Sequence, residues 1–234
     1  MAKVVFHRAY NFADIDLSEF LAGDVTSFSN SQIVIVEGNY AATLGGAFVP
    51  GPPPTFAPPS GTIQTIDVAF KGGPLFSATD VNVDLGQVYA NLNNDAVLLE
   101  MFFGGADSFK GSRGADHMAG WDGADGLNGA KGGDFLTGGA DADILTGGAG
   151  GDTFIYLAVS DSMKKTSDVI LDLEAGDFID AQMLDVQGDV TSAYNARKDL
   201  TVFSVDADGD GRGDLFISAK GDHVGFEDSG HFLI

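Results

Sequence analysis

Residues 102–155 read FFGGADSFK, GSRGADHMA, GWDGADGLN, GAKGGDFLT, GGADADILT and GGAGGDTFI, six consecutive blocks of nine. Asp107, Asp116, Asp125, Asp134, Asp143 and Asp152 hold the sixth place of each block. A large apolar residue follows two places on: Phe109, Met118, Leu127, Leu136, Leu145 and Phe154. From the second block onward a glycine opens each one: Gly111, Gly120, Gly129, Gly138 and Gly147. Three residue types held in one phase over six blocks mark stacked structural units. A flexible Gly/Asp-rich linker would have no reason to keep Phe, Met and Leu at a fixed phase.

Within each block the first six positions read as a turn and the last three as a short strand. Glycine opens the turn to backbone angles that a Cβ forbids and leaves carbonyl oxygens uncovered. The apolar residue points inward, and stacking turns it into a continuous buried ladder. The aspartate ends the turn with a carboxylate. Carboxylates and carbonyls, with no Cys and no His in register, make an all-oxygen donor set, which suits calcium better than zinc or copper.

These blocks resemble the RTX (hemolysin-type) calcium-binding repeat, G-G-x-G-x-D-x-U-x. The resemblance implies an all-β fold. Its centre would be a right-handed parallel β-roll in which two repeats make one turn, loops alternate between two edges, and calcium sits between stacked loops. It implies that aspartates pair two repeats apart: Asp107 with Asp125, Asp125 with Asp143, Asp116 with Asp134, and Asp134 with Asp152. That makes about four interior calcium sites, with loop carbonyls near Gly111, Gly120, Gly129, Gly138 and Gly147 completing the shells. Two departures stand out: Asp141 occupies the place of the fourth-position glycine in the fifth block, and Phe103 and Gly104 make the first block imperfect.

Around the roll, residues 1–101 form a β-rich N-terminal region with short helices. Val4–Phe6, Ile33–Val36 and Ile63–Phe70 read as strands. Six of the seven prolines lie between Pro50 and Pro59, which bars a sheet interior from that stretch. From Asp95 a helical pattern begins, with Val97, Leu98, Met101 and Phe102 on one face, placed to cover the first open turn of the roll. No convergent polar cluster marks a site in this region.

Residues 156–234 form a C-terminal β cap, with strands expected at Asp168–Leu173, Leu200–Val205 and Asp214–Ala219. DTFIY and DVILDLEAGDFID resemble the segment that follows the repeats in serralysin-type peptidases and alginate epimerase modules. DLTVFSVDADGDGRGDLFISAKGDH is similar to the tail of many small RTX proteins. In those families this part caps the end of the roll. Within it, Asp206, Asp208, Asp210 and Asp214 occupy positions 1, 3, 5 and 9 of an EF-hand-like spacing, with Gly211 at position 6. Position 12 is Ile217, so the bidentate glutamate is missing. The segment reads equally as one more calcium loop and as a metal-free hairpin turn.

The chain has 34 acidic and 12 basic residues, for a formal charge of −22. That sign argues against nucleic acid and anionic membrane surfaces, and it strains the compact state unless cations bind. Cysteine is absent, which removes disulfides and a thiol nucleophile. The N-terminus does not read as a Sec signal peptide, and no apolar run reaches the length of a membrane helix. No H-E-x-x-H, G-x-S-x-G or P-loop is present. His7, His117, His223 and His231 are dispersed, and His117 is expected to face solvent. Enzymes among the resembling families carry their chemistry in a separate domain, for which this chain has no room, and Met1 suggests a complete small protein.

The expectation is therefore a non-catalytic, secreted bacterial protein, acting at the cell surface or in the matrix, that folds when it meets extracellular calcium. RTX relatives leave through type I secretion machinery with an uncleaved C-terminal signal. The terminal Gly230–Ile234, behind Glu227 and Asp228, resembles such a tail. The alternative is an accessory module that holds a surface polysaccharide or another protein for an extracellular enzyme.

Overall fold

The computed structural model describes residues 3–6, 24–28, 32–37, 40–49, 60–70, 73–84, 87–88 and 101–234. In the first region these are β1 (Lys3–Phe6), β2 (Asp24–Phe28), β3 (Gln32–Glu37), β4 (Tyr40–Val49), β5 (Ser60–Phe70) and β6 (Gly73–Asp84). β2 to β6 form an antiparallel meander, and β1 joins it against β6. All three strands expected there are present. Alternate residues such as Leu44, Ile66, Ala78 and Val83 are buried, the period-2 pattern of a sheet with one covered face. The proline stretch 50–59 and residues 95–100, where the helix is expected to begin, lie outside the described residues, but Met101–Phe103 are helical.

The repeats then make six strands of three residues each: β7 (Ser108–Lys110), β8 (His117–Ala119), β9 (Gly126–Asn128), β10 (Phe135–Thr137), β11 (Ile144–Thr146) and β12 (Thr153–Ile155). Each begins directly after its aspartate. Strands two repeats apart pair in parallel, so they sort into two sheets. Phe109, Leu127 and Leu145 stand in register in one; Met118, Leu136 and Phe154 do so in the other. All six side chains are buried, because the sheets turn their apolar residues toward each other. This is a parallel β-roll.

The parallel ladders run on past Ile155. β13 (Val169–Ile170) stacks on β11, and β14 (Phe178–Asp180) stacks on β12. β15 (Val190–Asn195), β16 (Leu200–Val205) and β17 (Leu215–Lys220) form an antiparallel unit whose β17 pairs in parallel with β13. β18 (Phe232–Leu233) finishes the second sheet against β14. Of the strands expected here, β16 has the expected bounds and β17 starts one residue late. β13 is shorter than the expected 168–173, because Asp172 turns its carboxylate onto the Gly147 and Gly148 N–H groups at 2.9 and 2.8 Å and the strand ends there.

At the other end β1 pairs in parallel with β7, with Val4 opposite Phe109. One sheet of 13 strands thus runs from β15 through the roll to β2, and a second of five runs from β18 to β8. Phe103 covers the first turn by packing on Phe109 and stacking on Trp121, with ring centroids 6.1 and 5.5 Å away.

Candidate metal centre

Every pair of aspartates expected to meet does meet, and through a specific bond. The backbone N–H of Asp107 donates to Asp125 Oδ1 at 2.6 Å. Asp116 donates to Asp134 Oδ1, Asp125 to Asp143 Oδ1, and Asp134 to Asp152 Oδ1, each at 2.8 Å. Asp125, Asp134, Asp143 and Asp152 each spend one carboxylate oxygen holding the previous turn of their own edge. The result is two ladders of carboxylates, one along each edge of the roll.

The second oxygens behave differently. Asp125, Asp134, Asp143 and Asp152 each bury an Oδ2 that has no hydrogen-bond partner among the described residues. Leaving a buried polar atom unmatched costs about 1–3 kcal/mol, more when it is charged. Only near a ladder end is Oδ2 satisfied: Asp116 takes the Ser112 N–H at 2.7 Å.

The opening glycines explain where those oxygens point. A Cβ on Gly120 would collide with both Asp125 Oδ2 and the Gly138 carbonyl oxygen. On Gly129 it would meet Asp134 Oδ2 and the Gly147 carbonyl in the same way, and on Gly111 the Gly129 carbonyl and Asp116 Oδ2. On Gly138 and Gly147 it would meet Asp143 and Asp152 Oδ2. A carboxylate oxygen and a carbonyl oxygen from the next turn therefore converge on the space that glycine leaves open. Asp141, the off-pattern residue, adopts φ +79° without disturbing the Asp125–Asp143 bond. Aspartate is one of the few residues that tolerates this left-handed backbone.

Sequence reading missed two members of the ladders. The N–H of Asp143 donates to Asp168 Oδ1 and that of Asp152 to Asp177 Oδ1, both at 3.0 Å. The offset lengthens from 18 to 25 residues. Asp161, which keeps the nine-residue phase, instead closes a local turn on the Leu157 and Ala158 N–H groups. The available signal was local: Asp168-Val-Ile170 and Asp177-Phe-Ile179 repeat the D-x-U order nine residues apart. Asp168 is buried beside the Tyr156 phenol, unlike those before it, whereas Asp177 Oδ2 accepts the Glu174 N–H at 2.7 Å.

The electrostatics follow from this stacking. Burial pushes Asp125 and Asp168 up to about 8, and Asp134 and Asp143 up to about 6. Asp152 is raised for the same reason. The backbone N–H bonds oppose the shift, and neighbouring carboxylates add to it. Tyr156, buried beside Asp168, has its phenol held well above the ordinary range by burial and then by that carboxylate. Carboxylates in this state need a proton or a cation. The donor set present, with only carboxylate and carbonyl oxygens, fits calcium.

Asp206, Asp208, Asp210 and Asp214 lie in the connection between β16 and β17. Asp206, Asp208 and Asp210 bring carboxylate oxygens within 4.8 Å of one another. Their carboxylates are also used within the turn: Asp206 accepts the Gly209 and Gly211 N–H groups, Asp208 that of Asp210, and Asp210 that of Arg212. Asp214 accepts from Ala207. Ile217 is buried in β17, so no ligand from position 12 can reach the loop.

The histidines stay apart. His117 is half-buried and stacks on Phe135 with centroids 4.3 Å apart, rather than facing solvent. His223 Nε2 lies 2.7 Å from the Lys220 carbonyl, and His231 meets the edge of Phe178. His7 is outside the described residues. No described helix is long and apolar enough to cross a membrane.

Two parallel sheets closed around an apolar ladder, with edges lined by paired carboxylates, define a β-roll of the RTX type. Residues 109–229 match the family described as peptidase M10 serralysin C terminal, and the chain belongs to that family. What matches is a C-terminal repeat domain and not a catalytic one. Among solved structures, the chain is similar to the AlgE6R3 subunit of the Azotobacter vinelandii mannuronan C5-epimerase, at 26% identity and a TM-score of 0.48 over 56% of this chain and 79% of that one. The AlgE6R2 subunit of the same enzyme is similar at 27% identity and a TM-score of 0.44, over 56% and 88%. No curated protein is matched.

Proposed function

We propose that this chain is a non-catalytic, secreted calcium-binding protein whose roll folds on meeting extracellular calcium. One observation carries the reading: Asp125, Asp134, Asp143 and Asp152, in the interior of the two ladders, bury an oxygen that nothing among the described residues satisfies. Asp107, Asp116, Asp125, Asp134, Asp143 and Asp152 would hold the ions, with carbonyls at the opening glycines. Four pairs come from the repeats, and Asp168 and Asp177 extend the series by one pair on each edge. Bound calcium supplies the positive charge that the ladders lack.

The energetics set the switch. Extracellular calcium modules bind with Kd around 10⁻⁴–10⁻³ M. At free calcium near 100 times Kd, each site stabilises the fold by about 2.7 kcal/mol. Four sites then match the roughly 5–15 kcal/mol that holds an ordinary domain. In a cytosol with calcium far below Kd the contribution vanishes, and a Gly-rich chain of charge −22 stays open. Such a chain suits export through type I secretion machinery. Gly230–Ile234, the segment read as an export signal, contains β18; it would serve as a signal while unfolded and as the last rung afterwards.

The test is a calcium titration of chelator-treated protein followed by far-UV circular dichroism, with magnesium as control. A cooperative gain of β-structure near millimolar calcium alone is expected. A chain already folded in chelator and unmoved by calcium overturns the reading.

A further inference from the structure

The β15–β17 sheet has one face in the core and one face outside. Across the outer face run the rows Thr191–Ser204–Phe216 and Ala193–Val202–Ser218. Together with the segment carrying Lys164 and Ser167, they line a groove of about 350 Å³. Lys164 Nζ stands 5.5 Å above the centre of the Phe216 ring, and Lys198 enters from the β15–β16 turn.

The chemistry of this groove differs from that of the rest of the chain. Of 12 basic residues against 34 acidic ones, two converge on one groove. Among the described residues neither Lys164 nor Lys198 is in an ion pair, although Lys220 close by is neutralised by Asp199 at 3.0 Å. The Thr191 and Ser204 hydroxyls make no hydrogen bond among the described residues, and Ser167 and Ser218 hold theirs 3.4 Å apart. Between them Val202 and Phe216 give an apolar floor.

We propose that this groove binds an anionic sugar, one or two units of a carboxylated oligosaccharide. The lysines meet the carboxylates, the free hydroxyls exchange hydrogen bonds with ring hydroxyls, and the apolar floor takes the C–H face of a sugar ring. An acidic peptide fits less well. Peptides dock on sheets by adding a strand; that route runs along the open edge of β15, the end strand of its sheet, and not through the groove, whose middle strand β16 pairs on both sides, with β15 and with β17. The groove lies on the outer sheet face, where only side chains are on offer. This site is separate from the carboxylate ladders and does not depend on how many of them hold calcium.

The experiment is calorimetric titration of the full chain, at a calcium concentration that holds it folded, with a galacturonate trisaccharide. A neutral galactose trisaccharide and a hexaglutamate peptide serve as comparison probes. The galacturonate is expected to bind, and the other two are not. The double variant Lys164→Gln, Lys198→Gln should weaken binding about tenfold or more. Lys131→Gln, an exposed lysine in a roll loop, should leave it unchanged, and unaltered circular dichroism should show that all variants fold. Equal binding by the double variant, equal binding of the neutral sugar, preference for the peptide, or no binding of galacturonate would each overturn the proposal.

Discussion

Asp168 Oδ1 accepts the backbone N–H of Asp143 at 3.0 Å, across 25 residues of chain. The nine-residue period has lapsed by then, yet the bond is the same one that joins Asp125 to Asp143 inside the repeats. What is kept between turns is therefore the position of a carboxylate relative to a backbone N–H, and the chain between them can lengthen. Each aspartate has two tasks. Oδ1 fixes the stacking, and Oδ2 faces the space that the opening glycine leaves.

Those two tasks can be separated by substitution. Asp134→Asn keeps an acceptor for the Asp116 N–H but removes the charge. It is expected to stabilise the protein in chelator and to raise the calcium concentration at the folding midpoint. Asp134→Ala leaves a buried N–H unmatched and should cost about 1–3 kcal/mol in both conditions. Urea unfolding with and without calcium distinguishes the two patterns; identical behaviour of Asn and Ala would sink the division of labour.

Gly120→Ala places a methyl group against Asp125 Oδ2 and the Gly138 carbonyl together. Both atoms belong to the rigid stack, so the loss should reach about 2 kcal/mol or more, with weaker calcium dependence. Gly105→Ala has nothing within 4 Å of the new carbon and should fall within about 0.5 kcal/mol of the parent. Similar unfolding midpoints for the two variants would contradict the convergence of oxygens at Gly120.

Acid should stand in for calcium. The folded values of Asp134 and Asp143, about 6, and of Asp125 and Asp168, about 8, all lie above the unfolded carboxylate range. A group raised on folding stabilises the fold while protonated, in full below its unfolded value, and loses that contribution as pH rises through the folded value. In chelator, stability is expected to be greatest near pH 4 and to fall progressively from there to about 8. Circular dichroism in chelator across that range checks the sign. Stability that instead rose with pH would refute it.

The apolar ladder can be tested at its centre. Leu136 is fully buried between Met118 and Phe154 of the neighbouring strands. Leu136→Ala should cost about 2–5 kcal/mol in calcium, measured by urea unfolding. A cost under 1 kcal/mol would mean that the interior collapses around the gap.

The stacked turns were legible because a strict period puts chemistry and geometry in the same register, and the pairing of aspartates two repeats apart followed from the resemblance to the RTX repeat. Asp168 and Asp177 were harder to find because Asp161 keeps the phase while leaving the ladder. Asp172 reads as part of a strand, but its carboxylate is claimed by the Gly147 and Gly148 N–H groups. His117 sits at a variable position, and nothing local announces that Phe135, 18 residues on, will stack against it. Strands in the first region were readable from their β-branched runs. Their partners were not, since composition does not say that β1 pairs in parallel with β7.

That last pairing sets an order of assembly. Each new rung of the roll joins residues 18 apart, as Leu127 and Leu145 do, whereas β1 reaches β7 with Lys3 opposite Ser108. Loop closure grows costlier with length, and pairings distant in sequence are slow. β1 is then expected to be among the last strands to dock, onto a roll that already exists. Trp121, the only tryptophan, stacks on Phe103 at the end of the roll that β1 adjoins. In calcium-jump refolding its fluorescence should settle before the slowest far-UV phase, and a single shared rate would argue against this sequence of events. The roll would then act as a template, and whatever the first hundred residues do would wait on the calcium that completes it.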